Sequence, residues 1–285
     1  MTTAAAPAVL TVADRAVAEY TWRPDLPAAL APRPYLHPVR TLAGVAVTEF
    51  RPASHQHHLG LSVAVAEVDG ANFWGGRTYI AGHGPAWLDN QGVQEHVRWL
   101  RRGTDRIGHT LRWASIDGEH LLSERRELSS RPAGAGAWAL TFAFTLTNAT
   151  DRDLLVRSPA AHGRVGAGYG GFFWRAPAGT GPARVASTAG DRVETVHGGR
   201  SSWLTVGADG EHPWTLLFVG ATARTREDPW FVRTRDYLGV GSALAWEEPL
   251  PLAPGESIER RIVTVVADGV LPSERVRAYV DEFAA

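Results

Sequence analysis

Residues 137–147 constrain the fold more than any other stretch. Trp138, Leu140, Phe142, Phe144 and Leu146 alternate with Ala137, Ala139, Thr141, Ala143, Thr145 and Thr147. In extended backbone successive side chains point to opposite faces, so a strand with one bulky and one small face accounts for the pattern. Similar short runs occur at 9–18, 45–50, 61–68, 109–116, 121–128, 203–206, 214–219 and 258–266. Turn signals separate them, among them Asp69-Gly70, Asp117-Gly118, Asp209-Gly210 and Pro254-Gly255. Helical periodicity is confined to the end, where Ser273 can cap a helix carrying Val276, Tyr279, Val280 and Phe283 on one stripe. The expectation is an all-β chain: a large antiparallel β-sandwich with a short C-terminal helix over 272–284. It is read as a single β-sandwich domain over 1–285, in which 1–34 supplies an N-terminal strand and a surface-wrapping segment.

Two absences narrow the chemistry. The chain has no cysteine and no lysine, so every basic side chain other than histidine is arginine. Thiolate nucleophiles, cysteine zinc sites, Schiff bases and phosphate-loop lysines are excluded, leaving His, Asp, Glu, Tyr and Arg. The formal charge is −1 and the arginines are scattered among acids, which argues against a nucleic-acid partner. No run of about 18 apolar residues exists, so no membrane span is expected. Met1 to Leu10 lacks the basic flank and apolar core of a leader, and a cytoplasmic location is expected.

The densest chemical signal is His55-Gln56-His57-His58, at the edge of an apolar, strand-like run. Imidazole titrates near neutrality and is a common metal ligand, so His55, His57 and His58 suit proton transfer, and His55 with His57 suits a divalent metal. A solvated turn of hydrogen-bonded histidines is the plainer alternative. A cupin-type site also uses His-x-His, but it needs a glutamate three or four residues later, where Leu61 and Ser62 stand.

Asn72-Phe73-Trp74-Gly75-Gly76 offers Trp74 as a stacking surface for a sugar ring and Asn72 as a partner for hydroxyls, or else a loop anchored by a buried tryptophan. On 94–99, strand alternation places Gln94, His96 and Arg98 on one face, either toward water or lining a polar cleft with His96 as acid, base or ligand. In 166–175 the glycine density lets backbone approach a ligand while Tyr169, Trp174 and Arg175 converge on it, and His162 can join the same wall; the same rings could instead pack in the core. This is no dinucleotide fingerprint, because 172–175 reads as extended where a helix is required, and no nucleotide cofactor is expected. In 230–237, Arg233 and Asp236 are either a surface ion pair or substrate contacts.

Leu36-His37-Pro38-Val39-Arg40 with Gly44-Val45, the histidine stretch from Pro52 to Leu61, and Asn72-Phe73-Trp74-Gly75 together resemble the bacterial family labelled PmoA, or DUF6807. The resemblance runs on through Gly170-Gly171-Phe172, Trp230 with Arg233, and Leu252 to Ser257, nearly the whole chain. The chain departs from the family's histidine stretch at Gln56, where proline is usual, and at Leu59, where a basic residue is usual. The PmoA label implies methane oxygenation, yet membrane oxygenase subunits are bundles of apolar helices and this chain has no such segment. The resemblance implies instead a β-sandwich distantly similar to the galactose-mutarotase-like supersandwich, in the company of sugar oxidoreductases.

The favoured function is a carbohydrate-active enzyme acting on a sugar or an oxidised 3-keto glycoside, of lyase, hydrolase or epimerase type. His55, His57, His58, His96 and Arg175 are the expected catalytic groups, and Asn72, Trp74, Tyr169, Trp174, Arg233 and Asp236 the expected substrate contacts. A noncatalytic carbohydrate-binding sandwich and a metal-dependent oxidoreductase are the alternatives.

Overall fold

The structure, a computed structural model, describes residues 5–179 and 181–284. The first residues of the stretch read as lacking a leader, 1–4, lie outside that range. Two antiparallel sheets dominate. One has seven strands in the order Ala8–Val12, Arg15–Thr21, Tyr35–Val39, Leu61–Ala64, Gly171–Ala176, Leu238–Ala243, Trp230–Arg233. The other has eight, in the order Arg184–Ser187, Trp203–Ala208, Trp214–Gly220, Ser257–Asp268, Ala137–Asn148, His120–Pro132, Arg106–Ala114, Val93–Arg102.

The sheets meet over a continuous apolar core. Leu61, Val63, Phe172, Trp174, Trp230 and Val232 of the first pack against Trp113, Phe142, Phe144, Leu216, Phe218 and Ile262 of the second. Phe172 meets Phe142 with ring centroids 5.6 Å apart, and Trp174 meets Phe218 at the same distance. Face-to-face packing of this kind is what period-two alternation produces when each sheet has one apolar face. The all-β sandwich expectation holds.

The alternation at 137–147 resolves into two burials. Trp138, Leu140, Phe142, Phe144 and Leu146 fill the inter-sheet core, while Ala137 and Ala139 on the opposite face take part in a second cluster with Val276, Tyr279 and Phe283 of the helix Ser273–Phe283. Small residues on that face let the helix lie close.

Several boundaries differ from expectation for local reasons. The run at 9–18 is a hairpin, because Ala13 and Asp14 take positive φ of 48° and 62° and reverse the chain. The run at 45–50 forms no regular strand: it joins its neighbours through isolated bridges at Ala46 and Phe50 and through single backbone hydrogen bonds from Val47 to Val39 and from Glu49 to Arg175. The surface-wrapping segment turns inward at its end, where Leu30, Ala31 and Arg33 are buried.

Candidate active site

The site sits on the face of the seven-stranded sheet turned away from the core. In Gly171–Ala176, alternation sends Phe172 and Trp174 into the core and Phe173 and Arg175 outward; in Trp230–Arg233 it sends Trp230 and Val232 inward and Phe231 and Arg233 outward. Phe173 and Phe231, with Ala64, Ala66 and Trp74, form an apolar floor on which Tyr169, Tyr237 and Trp246 lie. A cavity of about 880 Å³ opens above it. That size suits a sugar or other small molecule.

The loop before Leu61–Ala64 forms one wall and brings all three histidines to the cavity. The ring of His58 stacks on that of His55 at 4.7 Å and meets that of His57 edge-on at the same distance; His55 and His57 are 5.9 Å apart. Tyr237 closes against both His55 and His58. His55 Nδ1 pairs with Ser54 Oγ at 3.0 Å. Among the described residues, the imidazoles of His57 and His58 make no hydrogen bond, and His58 Nδ1 is fully buried. A buried nitrogen without a partner is costly, which marks the His58 ring as a group that awaits one.

Arg33 holds this wall in place. It is 1% exposed, and its guanidinium donates to Ser62 Oγ and to the carbonyls of Leu30, Ala31, Trp74 and His57, at 2.7–3.1 Å. One side chain thereby ties the histidine loop to the tryptophan loop. The latter comes close because of Gly76: its φ is +71°, and a Cβ there would lie 2.8 Å from His57 Nδ1.

Burial first, then neighbouring cations, hold the histidines neutral. Burial, with Arg33 and His55, lowers His57 to about 3. His58 is also pushed far down, by burial and then by His57, His55, Arg175 and Arg33. His55 is lowered by burial and Arg175, while Asp236 and Glu49 pull the other way. Of the three, His55 therefore combines cavity access with a carboxylate that favours taking up a proton.

The remaining expected residues divide. Trp74, Tyr169, Arg233 and Asp236 line the cavity. Arg233 and Asp236 form no ion pair; the Arg233 guanidinium lies over the Phe231 ring and donates to the Gly166 carbonyl at 3.0 Å. Asn72 is buried, and its side-chain oxygen accepts from the amides of Trp74 and Gly75 at 2.8 Å, so it shapes the loop and is not on the lining. Trp174 is likewise not on the wall: the pleat turns it into the core, where Nε1 donates to the Val47 carbonyl. Arg175 faces the correct side but is buried under Tyr237 and neutralised by Glu49 at 2.6 Å. His96 lies in the other sheet, against Trp22, Trp99 and His109, and His162 pairs with Glu67 at 2.6 Å.

For metal, no group of three or more His, Asp or Glu side chains among the described residues is arranged to hold an ion. His55 and His57 alone make an incomplete donor set. Sequence reasoning missed Arg33, Tyr237, Phe231, Arg164 and His197. Pro32-Arg33-Pro34 was the available signal for the first, an arginine set into an otherwise apolar, proline-rich stretch. His197 is fully engaged, with Nδ1 accepting from the Val232 amide and Nε2 donating to the Gly166 carbonyl.

A family model described as "Family of unknown function (DUF6807)" matches residues 8–281. No curated protein matches the chain. Among solved structures, a candidate aldose 1-epimerase of Escherichia coli K12 is similar at 11% identity and a TM-score of 0.49, covering 92% of this chain and 99% of its own. A GalM/aldose epimerase homologue from C. elegans is similar at 8% identity and a TM-score of 0.38, covering 93% and 99% respectively. A polysaccharide lyase is similar at 13% identity and a TM-score of 0.35, covering 98% of this chain and 35% of its own.

Proposed function

The chain belongs to the DUF6807 family, whose description assigns no activity, and from the chemistry of the site we propose that it is a carbohydrate-active enzyme working by histidine acid/base catalysis. The observation that carries the proposal is the wall of neutral imidazoles, two of them without a partner among the described residues, beside aromatic surfaces in one cavity. Trp74 and Tyr169, 4.4 Å apart between ring centroids, offer apolar faces to a sugar ring.

The substrate favoured is an oxidised, 3-keto glycoside. A ring ketone acidifies the adjacent C–H; His55 takes that proton, and the negative charge that develops on the ketone oxygen lies within the field of Arg233. Collapse of the enolate expels the glycosidic oxygen, which takes a proton from an imidazolium. Paired carboxylates are not needed. Anomer interconversion of a free sugar would draw on the same base, with Asp236 in support.

Two assays test this. Release of a chromogenic aglycone from a 3-keto glucoside and exchange between anomers of free aldoses are followed with the native protein and with His55→Ala. The expected result is turnover in one assay, reduced roughly 100-fold or more in the variant. Sugar binding without turnover in either would favour a noncatalytic carbohydrate-binding protein. Absence of sugar binding would remove the proposal.

A further inference from the structure

The charge around the cavity is unbalanced. Arg77, Arg164, Arg233 and Arg235 line it, against Glu194 and Asp236. Arg235 and Glu194 approach to 4.0 Å and offset one another. Among the described residues, Arg77, Arg164 and Arg233 have no carboxylate within salt-bridge distance. Beneath the histidine wall, Arg33 is a fully buried guanidinium whose partners are all neutral oxygens. Arg175 does not add to the surplus, because Glu49 cancels it.

Burying a cation without a counter-ion is costly, and a cavity walled by low-dielectric protein focuses its field on whatever enters. Arg233 donates to the carbonyl of Gly166 at 3.0 Å, two residues along the chain from Arg164, and both side chains lie on the lining, which places the two arginines at one end of the cavity. The histidines add no charge of their own while they are neutral, so the surplus stays fixed on arginine.

We propose that the substrate of this site is an anionic sugar, one carrying a carboxylate or a phosphoryl group, with the anion held at the end of the cavity marked by Arg164 and Arg233. The inference rests on the reading of the cavity as a sugar site and narrows it to a substrate class. A planar guanidinium with free N–H groups matches a carboxylate or phosphate by paired hydrogen bonds. The ligand's charge would also favour protonation of the nearby imidazoles, bringing them toward the range in which they exchange protons at neutral pH.

Calorimetric titration at low salt with glucose, glucuronate, galactose, galacturonate and glucose 6-phosphate tests the proposal. An anionic sugar is expected to bind roughly tenfold or more tightly than its neutral counterpart, the factor one charge-assisted hydrogen bond supplies. Added salt should narrow the gap. Arg233→Gln should erase most of it; Arg77→Gln, at an exposed side chain without hydrogen bonds among the described residues, should narrow it even if the first variant folds poorly. Preference for glucose 6-phosphate over the uronates would identify the anion as phosphoryl, and the reverse as carboxylate. Equal or tighter binding of the neutral sugars would overturn the charge inference and leave the sugar reading standing. Binding of neither class would overturn both.

Discussion

Replacing Arg33 by Met would leave the carbonyls of Leu30, Ala31, Trp74 and His57 without their shared donor in a buried place. Each unsatisfied buried group costs about 1–3 kcal/mol, so a loss of about 3 kcal/mol or more is expected in urea unfolding, with a lower melting temperature. Arg33→Lys should rescue little, because an ammonium is a point with three donors and cannot span acceptors on two loops. His58 is the opposite case. Its Nδ1 has no partner among the described residues, so packing uses the ring and not the nitrogen. His58→Phe should keep the melting temperature nearly unchanged while removing turnover; unchanged turnover would show that the imidazole is there for packing alone.

At the scale of the element, the strand His120–Pro132 carries a polar device on its core face. Arg126 lies fully buried, with Nε and Nη2 on the Glu124 carboxylate at 2.6 and 2.9 Å and Nη1 on the Tyr20 hydroxyl and the Pro34 carbonyl at 3.2 Å. Gln94 accepts from the same guanidinium, and Trp113 Nε1 donates to Glu124. From Tyr20 the network continues to His109 and then to His96, which is why His96 sits far from the cavity histidines in its bonding. Arg126→Met alone is expected to cost about 3–5 kcal/mol in urea unfolding, since it strands a buried carboxylate. Glu124→Leu added to it should recover much of the loss. The neighbouring pair Arg125–Glu127 points to solvent on the same strand, and its removal should change stability by about 1 kcal/mol or less.

Over the whole molecule, histidines resist protonation both around the cavity and in the eight-stranded sheet. His57 is lowered to about 3 and His96 to about 4, while burial also lowers His55, His58, His109 and His197. The sign follows from linkage. Above the ordinary imidazole value near 6.5 the folded and unfolded chains are both neutral at these positions, so stability is fully present. Below it the unfolded chain binds protons that the folded chain refuses, and stability falls as pH moves toward the folded values. Each well-buried histidine contributes up to about 1.4 kcal/mol per pH unit in that window, and His96, which is half-exposed, contributes less. Urea midpoints should be level from pH 8 to about 7 and decline steadily toward pH 5. A level profile down to pH 5 would mean that these imidazoles are not held neutral.

Alternation, turns and the final amphipathic stripe were enough to read the sandwich, most strands of its eight-stranded sheet and its closing helix, because burial on one face of a strand writes itself into every second residue. Crowding of His55, His57 and His58 within four positions was likewise legible, since neighbours in sequence stay neighbours in space. Which side of the sheet a residue faces at a bulge or a strand end was not. Trp174 and Arg175 are adjacent and point in opposite directions, one into the core and one beneath Tyr237, and the phase of that alternation is set by pairing with Leu61–Ala64 and Leu238–Ala243. The assembly of Arg33, Trp74, Tyr169, Arg233 and Tyr237 around one cavity depends on contacts between segments up to about two hundred residues apart. Local propensity carries no information about such closures; only packing of the sheets and loops determines which side chains share the cavity.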